Sequence, residues 1–247
     1  MTVRRPVKTH PPAEVVHRIH DRYLQEVVEA LGLCPFARRS RELGRVHRPL
    51  LWVDGSEPTA ATGARVLADC LAAHPDAEIV LLTFLDDGVR FATPAPFETF
   101  VAELRIAYER LGGPRWFMVA FHPEFVSETD RALTKDSLVP LIRRSPDPVI
   151  QCVNAAVLER ARAQAQESSH RRLVETLGGR DPILRAMIEN SVQADSELSA
   201  DIARTNFAAV GAGEGRETFE RVIADIRRDR DASYGERAVA TSTRRGK

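Results

Sequence analysis

Three short stretches of the sequence place reactive or charged side chains beside prolines. Cys34 stands directly before Pro35, His122 stands in a Phe-His-Pro tripeptide, and residues 143–148 read Arg-Arg-Ser-Pro-Asp-Pro. A thiol, an imidazole and guanidinium groups are the side chains from which a nucleophile, an acid–base and an anion-binding group are made. The sequence therefore predicts a Cys/His/Arg site, provided that the fold brings the three stretches together.

Cys34 has two interpretations from its surroundings. Arg38 and Arg39 follow it closely, and nearby cationic groups lower the pKa of a thiol and make it nucleophilic. A cysteine at a helix end is also a small hydrophobic residue that packs well. The sequence leaves open whether Cys34 is catalytic or structural.

His122 ends an apolar run that predicts a strand. Ligands of open α/β sheets bind beyond the carboxyl ends of the strands, so a histidine there is placed for acid–base chemistry. Arg143 and Arg144 stand at the entrance of a rigid, proline-rich connection. Two guanidinium groups at such a point predict an anion site, with Ser145 beside it and Arg38 as a further contributor.

A metal or haem site is an alternative use of the same residues. The candidate ligands are Cys34 and the histidines His17, His20 and His122. The Cys-Pro dipeptide is also typical of haem-regulatory motifs. Zinc sites take at least three protein ligands, and the chain has neither a His-x-x-x-His nor a Cys-x-x-Cys spacing. We therefore expect no metal and no cofactor, with Cys34 ligation kept as the alternative.

The elements that must position these residues follow an α/β order. Apolar residues recur at three- and four-residue steps from Ala13 to Leu31, which predicts a helix that Gly32 and Pro35 end. Alternating strand and helix patterns follow, and they predict one central sheet flanked by helices. The strand predictions rest on RVHRPLLWVDG, AEIVLLTFLDD, PRWFMVAFHPEF and the start of PVIQCVNAAV.

The chain is predicted to divide into four parts. A polar, proline-containing arm, predicted to be flexible, covers residues 1–12, and the α/β domain covers 13–166. Helical patterns without strand signals predict an α-helical C-terminal extension over 167–232. Polar composition predicts a disordered tail over 233–247.

Composition excludes several classes of protein. Lys plus Arg and Asp plus Glu number 35 each among 247 residues, so the formal net charge is zero. A neutral chain gives no support for nucleic-acid or membrane binding. No apolar run approaches 18 residues and the N-terminus lacks a secretory signal pattern. Three scattered cysteines fit a reducing compartment, so we expect a cytoplasmic protein.

The order of the motifs resembles that of the uncharacterised bacterial family called domain of unknown function 1415. In that family a helix ends in Leu-Cys-Pro-Phe-Ala, as at 33–37, a strand ends in Phe-His-Pro, as at 121–123, and Arg-Ser-Pro-x-Pro precedes a strand, as at 144–148. The resemblance covers roughly residues 14–165. This chain departs after the third motif, where Gln151 stands in place of the family's histidine.

These observations predict an enzyme that acts on a small anionic metabolite. The resemblance supplies no activity, so substrate and reaction class stay open, and the sequence gives no indication of oligomeric state. The rival is a non-catalytic protein that binds a ligand, or that binds a partner through its C-terminal helices. The predicted catalytic residues are Cys34 and His122, and the predicted substrate-binding residues are Arg38, Arg143, Arg144 and Ser145.

Overall fold

A computed structural model describes most of the chain. It covers residues 10–86, 89–125, 138–160, 163, 206–211 and 213–243, with side chains as far as residue 235. Most of the predicted arm, at 1–9, and the larger part of the predicted helical extension, at 167–205, lie outside the described residues. The domain boundary at 166 therefore stays a prediction.

Six helices with the following bounds are used below. The first, α1, runs over Ala13–Arg22 and continues without interruption as a π-helix over Tyr23–Glu29. The others are α2 Ala37–Glu42, α3 Ala60–Ala73, α4 Pro94–Arg110, α5 Leu138–Ile142 and α6 Gly213–Thr243.

Five strands form one mixed sheet in the order β1/β2–β3–β5–β4. Strands β1 and β2 both pair with β3 in parallel, whereas β5 lies antiparallel between β3 and β4. The α/β fold with a single sheet flanked by helices is confirmed. The strands are β1 Val46–His47, β2 Leu50–Trp52, β3 Ile79–Leu85, β4 Trp116–Phe121 and β5 Val149–Asn154.

The two faces of the sheet have different neighbours. Side chains alternate along a strand, so Val80 and Leu82 of β3 enter the core under α3 and α4, whereas Ile79 and Leu81 point to the opposite face. On that opposite side lie α1, its π-helical continuation and α2, and the candidate site is between them and the sheet.

The C-terminal helix α6 belongs to the same packed layer as α1. Phe219, Ile223 and Ile226 are almost fully buried and join the cluster that contains Ile19 and Val27. The sequence predicts disorder from residue 233, but the structure continues α6 as helix to Thr243. The apolar stripe that anchors the helix lies before residue 233, and the helix extends past it.

None of the helices in the described part of the chain is long and apolar enough to cross a membrane.

The sequence pattern RVHRPLLWVDG predicts one strand, and the structure divides it into β1 and β2, on either side of Arg48-Pro49. Both pieces pair with the same strand, β3, so the topology is unaffected by the break.

Candidate functional site

The turn that carries Cys34 is fixed by the end of the first helix. Gly32 has a φ of +65°, a left-handed conformation that favours glycine. The N–H of Leu33 donates to the carbonyl of Val28 at 2.9 Å, and the N–H of Gly32 donates to the carbonyl of Glu29 at 3.3 Å. This pair of bonds is a Schellman motif, and it holds Cys34 at a defined place against the helical layer.

Cys34 faces a cavity between the helical layer and the sheet. The cavity has a volume of about 300 Å³, at the lower end of the usual range for small-molecule sites. Its walls are mostly apolar. The helical side is formed by the π-helix and by the turn that follows it. Short π-helical segments are often found at functional sites. The sheet side contributes the outward-facing residues Ile79, Leu81, Phe117, Val119, Gln151 and Val153.

Two polar atoms in the cavity wall have no partner within the described structure. They are the hydroxyl oxygen of Tyr23 and the side-chain carbonyl oxygen of Asn206. Both residues are more than nine-tenths buried. An unpaired buried polar group costs free energy that a hydrogen bond to water or to a ligand recovers.

Arg143 is the cationic wall residue without a hydrogen bond or ion pair among the described residues. Burial lowers the pKa of its guanidinium group, and the charge of Glu98 opposes that effect without forming an ion pair. Arg41 also lines the cavity, but it donates to Glu29 at 2.6 and 2.9 Å. Within the described part of the chain, Arg143 is thus a half-buried positive charge without an ion pair beside an apolar cavity.

The thiol of Cys34 is not activated by the arginines that follow it. Burial raises the pKa of Cys34, and the backbone N–H groups of Phe36 and Ala37 oppose that rise only in part. Arg38 is largely exposed and lies 3.6 Å from Glu29. The prediction that arginines lower the pKa of this thiol is wrong, because they point to solvent while the sulfur is enclosed by apolar groups.

His20 and Asp147 form a buried pair in the same wall. The Nε2 atom of His20 donates to Oδ2 of Asp147 at 3.0 Å, and the two side chains are 5% and 0% exposed. Burial acts to raise the pKa of Asp147, but the hydrogen bond from His20, the charge that His20 carries when it is protonated, and the charge of Arg230 outweigh it and keep that pKa below its ordinary value. The other ring nitrogen of His20, Nδ1, has no hydrogen bond within the described residues.

His122 does not line this cavity. Its Nε2–H donates to the carbonyl of Phe91 at 2.8 Å, and its Nδ1 accepts from the N–H of Glu124 at 3.0 Å. Burial lowers the pKa of His122, which favours the neutral ring. Both ring nitrogens of His122 are thus hydrogen-bonded to backbone groups, and the geometry gives no support to the predicted acid–base role of this residue.

A second pocket of about 520 Å³ lies at the carboxyl edge of the sheet, with His122 in its wall. Four of its charged residues are paired with one another: Arg227 with Glu124, and Arg230 with Asp231. Arg230 also pairs with Asp147, which does not line this pocket. The two predicted catalytic residues, Cys34 and His122, therefore line different pockets.

The predicted anion-binding residues also lie in different places, and only some of them line the cavity beside Cys34. Arg144 donates to Glu220 of α6 at 2.5 Å and does not line the cavity. Ser145 lines it, but its hydroxyl donates to the backbone carbonyl of Asp147 at 2.6 Å. Arg38 is on the surface. Of the predicted catalytic and substrate-binding residues, Cys34, Arg143 and Ser145 line the same cavity, and the charge of Arg143 has no ion pair among the residues that the structure describes.

The alternative metal site receives no support from the geometry. Within the described residues, no group of three or more His, Cys, Asp or Glu side chains could hold a metal ion. His17 donates to the backbone carbonyl of Arg48 at 3.3 Å, and His20 is held by Asp147. Cys70 is half-buried and Cys152 is fully buried, as expected for structural cysteines.

The sequence interpretation missed the partners of the buried carboxylate. Asp147 is the variable residue of the Arg-Ser-Pro-x-Pro motif, and an aspartate confined between two prolines was a signal that it is held in one conformation. His20 on the apolar face of its helix was a second signal, since a buried histidine needs a partner. Nothing local in the sequence links either residue to Arg230 and Tyr234.

Comparison with known proteins places the chain in a family without an assigned function. A family model described as protein of unknown function (DUF1415) matches residues 15–176. The chain belongs to this family. No curated protein and no solved structure matches it. The family region contains Cys34, Arg143 and the His20–Asp147 pair, whereas α6 lies beyond it.

Proposed function

We propose that the protein is an enzyme that binds a small organic anion with an apolar body in the cavity beside Cys34. The observation that carries the proposal is the charge of Arg143, which has no partner in the described structure and lies in the wall of an otherwise apolar cavity. The anionic group of the ligand pairs with Arg143. Its apolar part packs against the sheet face at Leu81, Val119 and Val153.

The unpaired oxygens of Tyr23 and Asn206 support a ligand with further polar groups. The hydroxyl of Tyr23 donates to a ligand acceptor, and the carbonyl oxygen of Asn206 accepts from a ligand donor. Carboxylates with a hydroxyl or amide group satisfy all three positions. A purely hydrocarbon ligand leaves both oxygens unpaired, and a phosphate ester places more charge in the cavity than one guanidinium group compensates.

The catalytic part of the proposal rests on His20. Its Nε2–H is committed to Asp147, so Nδ1 is the atom that accepts a proton from the bound substrate. The imidazolium that forms is stabilised by the Asp147 carboxylate at 3.0 Å. Cys34 contributes as a neutral thiol in the wall, because burial raises its pKa.

The partner-binding alternative has less support. Phe219, Ile223 and Ile226 form the apolar stripe of α6, and all three are buried within the chain itself. The described part of the helix thus has no open apolar face of the kind that marks an interface.

A ligand panel tests the proposal. Thermal unfolding of the full chain is measured with small aliphatic and aromatic carboxylates and with the uncharged amide of each. We expect carboxylates to raise the unfolding temperature and the matched amides to leave it unchanged. Arg143→Gln removes the effect, whereas Arg38→Gln, a surface arginine of the same charge, keeps it. Equal stabilisation by acids and amides, or retention of the effect in Arg143→Gln, contradicts the proposal.

A further inference from the structure

The carboxylate of Asp147 is fully buried and receives hydrogen bonds on both oxygens. Oδ2 accepts from Nε2 of His20 at 3.0 Å and from the hydroxyl of Tyr234 at 2.9 Å. Oδ1 accepts from Nε of Arg230 at 2.8 Å and lies 2.7 Å from its second terminal nitrogen. Arg230 and Tyr234 stand one turn apart on α6, and the guanidinium group lies over the tyrosine ring at 4.7 Å from its centre.

The charges around the pair are balanced without a charge on His20. Asp147 is negative and Arg230 is positive, and both are largely removed from water. Asp231, which accepts from the same guanidinium at 2.8 Å, is mostly exposed and therefore screened. Arg230 and Tyr234 of α6 contact Asp147 directly, and Asp231 contacts Arg230. The other titratable groups of the cavity wall that His20 lines are Tyr23, Glu29, Cys34, Arg41 and Arg143.

We propose that Arg230 and Tyr234 of α6 are positioning residues that keep His20 neutral, with its proton on Nε2 and its Nδ1 free as a base in the cavity wall. Arg230 supplies the positive charge that a buried carboxylate requires. Tyr234 shares Oδ2 with His20 and fixes the direction of the carboxylate. Without Arg230, the imidazole of His20 is the cation that remains to compensate Asp147.

This inference deepens the proposed function, because a protonated His20 cannot take a proton from a substrate. It also extends the site beyond the family region, which ends at residue 176, whereas both positioning residues lie on α6. The helix thus completes the motif at Asp147. In this chain α6, which lies outside the family region, thus determines the protonation state of His20, which lies within it.

The experiment is a nitrogen NMR measurement on histidines of the full chain, labelled in the imidazole ring. Spectra are recorded at about pH 7.5, without ligand, and His20→Gln assigns the resonances. In the wild type we expect His20 to show one protonated nitrogen, Nε2, and one unprotonated nitrogen, Nδ1. In Arg230→Met we expect loss of the unprotonated resonance, with both nitrogens moving to the imidazolium position. Arg230→Lys restores the wild-type pattern.

The matched control is Arg228→Met, since Arg228 is on the same helix, is 76% exposed and pairs only with Asp225 among the described residues. It leaves the His20 resonances unchanged. A neutral His20 in folded Arg230→Met, with folding checked by circular dichroism, overturns the inference. A proton on Nδ1 of His20 in the wild type also overturns the inference. The inference can therefore be tested even if Arg230→Met fails to fold. Because no ligand is present, these results are independent of the carboxylate panel.

Discussion

At the scale of single residues, Tyr23 offers the sharpest distinction between packing and binding. Its hydroxyl is buried without a partner among the described residues, and an unpaired buried hydroxyl lowers stability. We expect Tyr23→Phe to raise the free energy of unfolding by up to about 1 kcal/mol and to weaken carboxylate binding. Chemical denaturation and calorimetric titration measure the two quantities.

Tyr108 is the matched control for this variant. Its hydroxyl is also buried and has no partner in the described structure, but Tyr108 belongs to α4 on the other side of the sheet and does not line the cavity. Tyr108→Phe should stabilise the chain to a similar extent and leave ligand affinity unchanged. Loss of stability in Tyr23→Phe, or equal effects of the two variants on affinity, would show that the hydroxyl of Tyr23 has no ligand-binding role.

Cys34 is expected to react slowly with alkylating reagents. Burial raises the pKa of its thiol, so the thiolate fraction at neutral pH is smaller than in a free cysteine. Iodoacetamide labelling, followed by mass spectrometry of the peptide that contains Cys34, should be slower than labelling of a small free thiol and should accelerate as the pH is raised. Labelling as fast as that of an activated thiolate at neutral pH contradicts this account.

Sequence reasoning found the residue types of the site better than their roles. Cys34 and Arg143 were predicted from the motifs that carry them, and both line the cavity. His122 looked like the acid–base because it ends a strand, yet backbone groups occupy both of its nitrogens. His20 and Asp147 are 127 positions apart, and a contact over that separation depends on how the layers pack, which local pattern does not specify.

At the scale of elements, α6 is expected to be an integral part of the core. Ile226 is fully buried in the cluster that joins α6 to α1. We expect Ile226→Ala to lower the free energy of unfolding by about 2–4 kcal/mol, because it leaves a cavity between the two helices. Urea denaturation provides the measurement.

Arg228→Ala on the exposed side of the same helix serves as the control and should leave stability unchanged. A cost below about 1 kcal/mol for Ile226→Ala would mean that α6 is not anchored by its apolar stripe. That result would favour the alternative in which α6 is a surface for binding a partner.

Local patterns predicted most elements and little of their arrangement. The buried run at β3, the helix α4 and the end of the first helix at Gly32 agree with the structure because each depends on neighbouring residues. The antiparallel insertion of β5 between β3 and β4 depends on pairing between distant segments. In the π-helical continuation of α1, each hydrogen bond spans one residue more than in an α-helix. The spacing of apolar residues does not distinguish the two kinds of helix.

At the scale of the whole molecule, stability should fall on mild acidification. Burial lowers the pKa of His122 and of His47, the latter also through the nearby ring of His74. The unfolded chain then binds more protons than the folded one as the pH falls below the ordinary histidine value of about 6.5, so the free energy of unfolding decreases with pH in that range. Asp147, with a lowered pKa, loses its contribution only at far lower pH.

Urea denaturation at several values between about pH 7.5 and pH 5.5 measures this dependence. His122→Gln removes one of the two histidines whose pKa is lowered in the folded chain, and it should give a shallower slope. A slope that is zero in the wild type, or that is unchanged in His122→Gln, contradicts the assignment of His122 as a neutral, backbone-bound histidine.

The central claim is that a small organic anion binds between the helical layer and the sheet, and methyl NMR tests it most directly. The sheet itself supplies reporters on its two faces. Leu81, Val119 and Val153 face the cavity, whereas Val80, Leu82 and Ile150 face α3 and α4. Titration with a carboxylate that raises the unfolding temperature should shift the first three methyl signals and leave the second three in place. Shifts confined to the second set, or to Val53 and Leu85 at the other pocket, would contradict the claim.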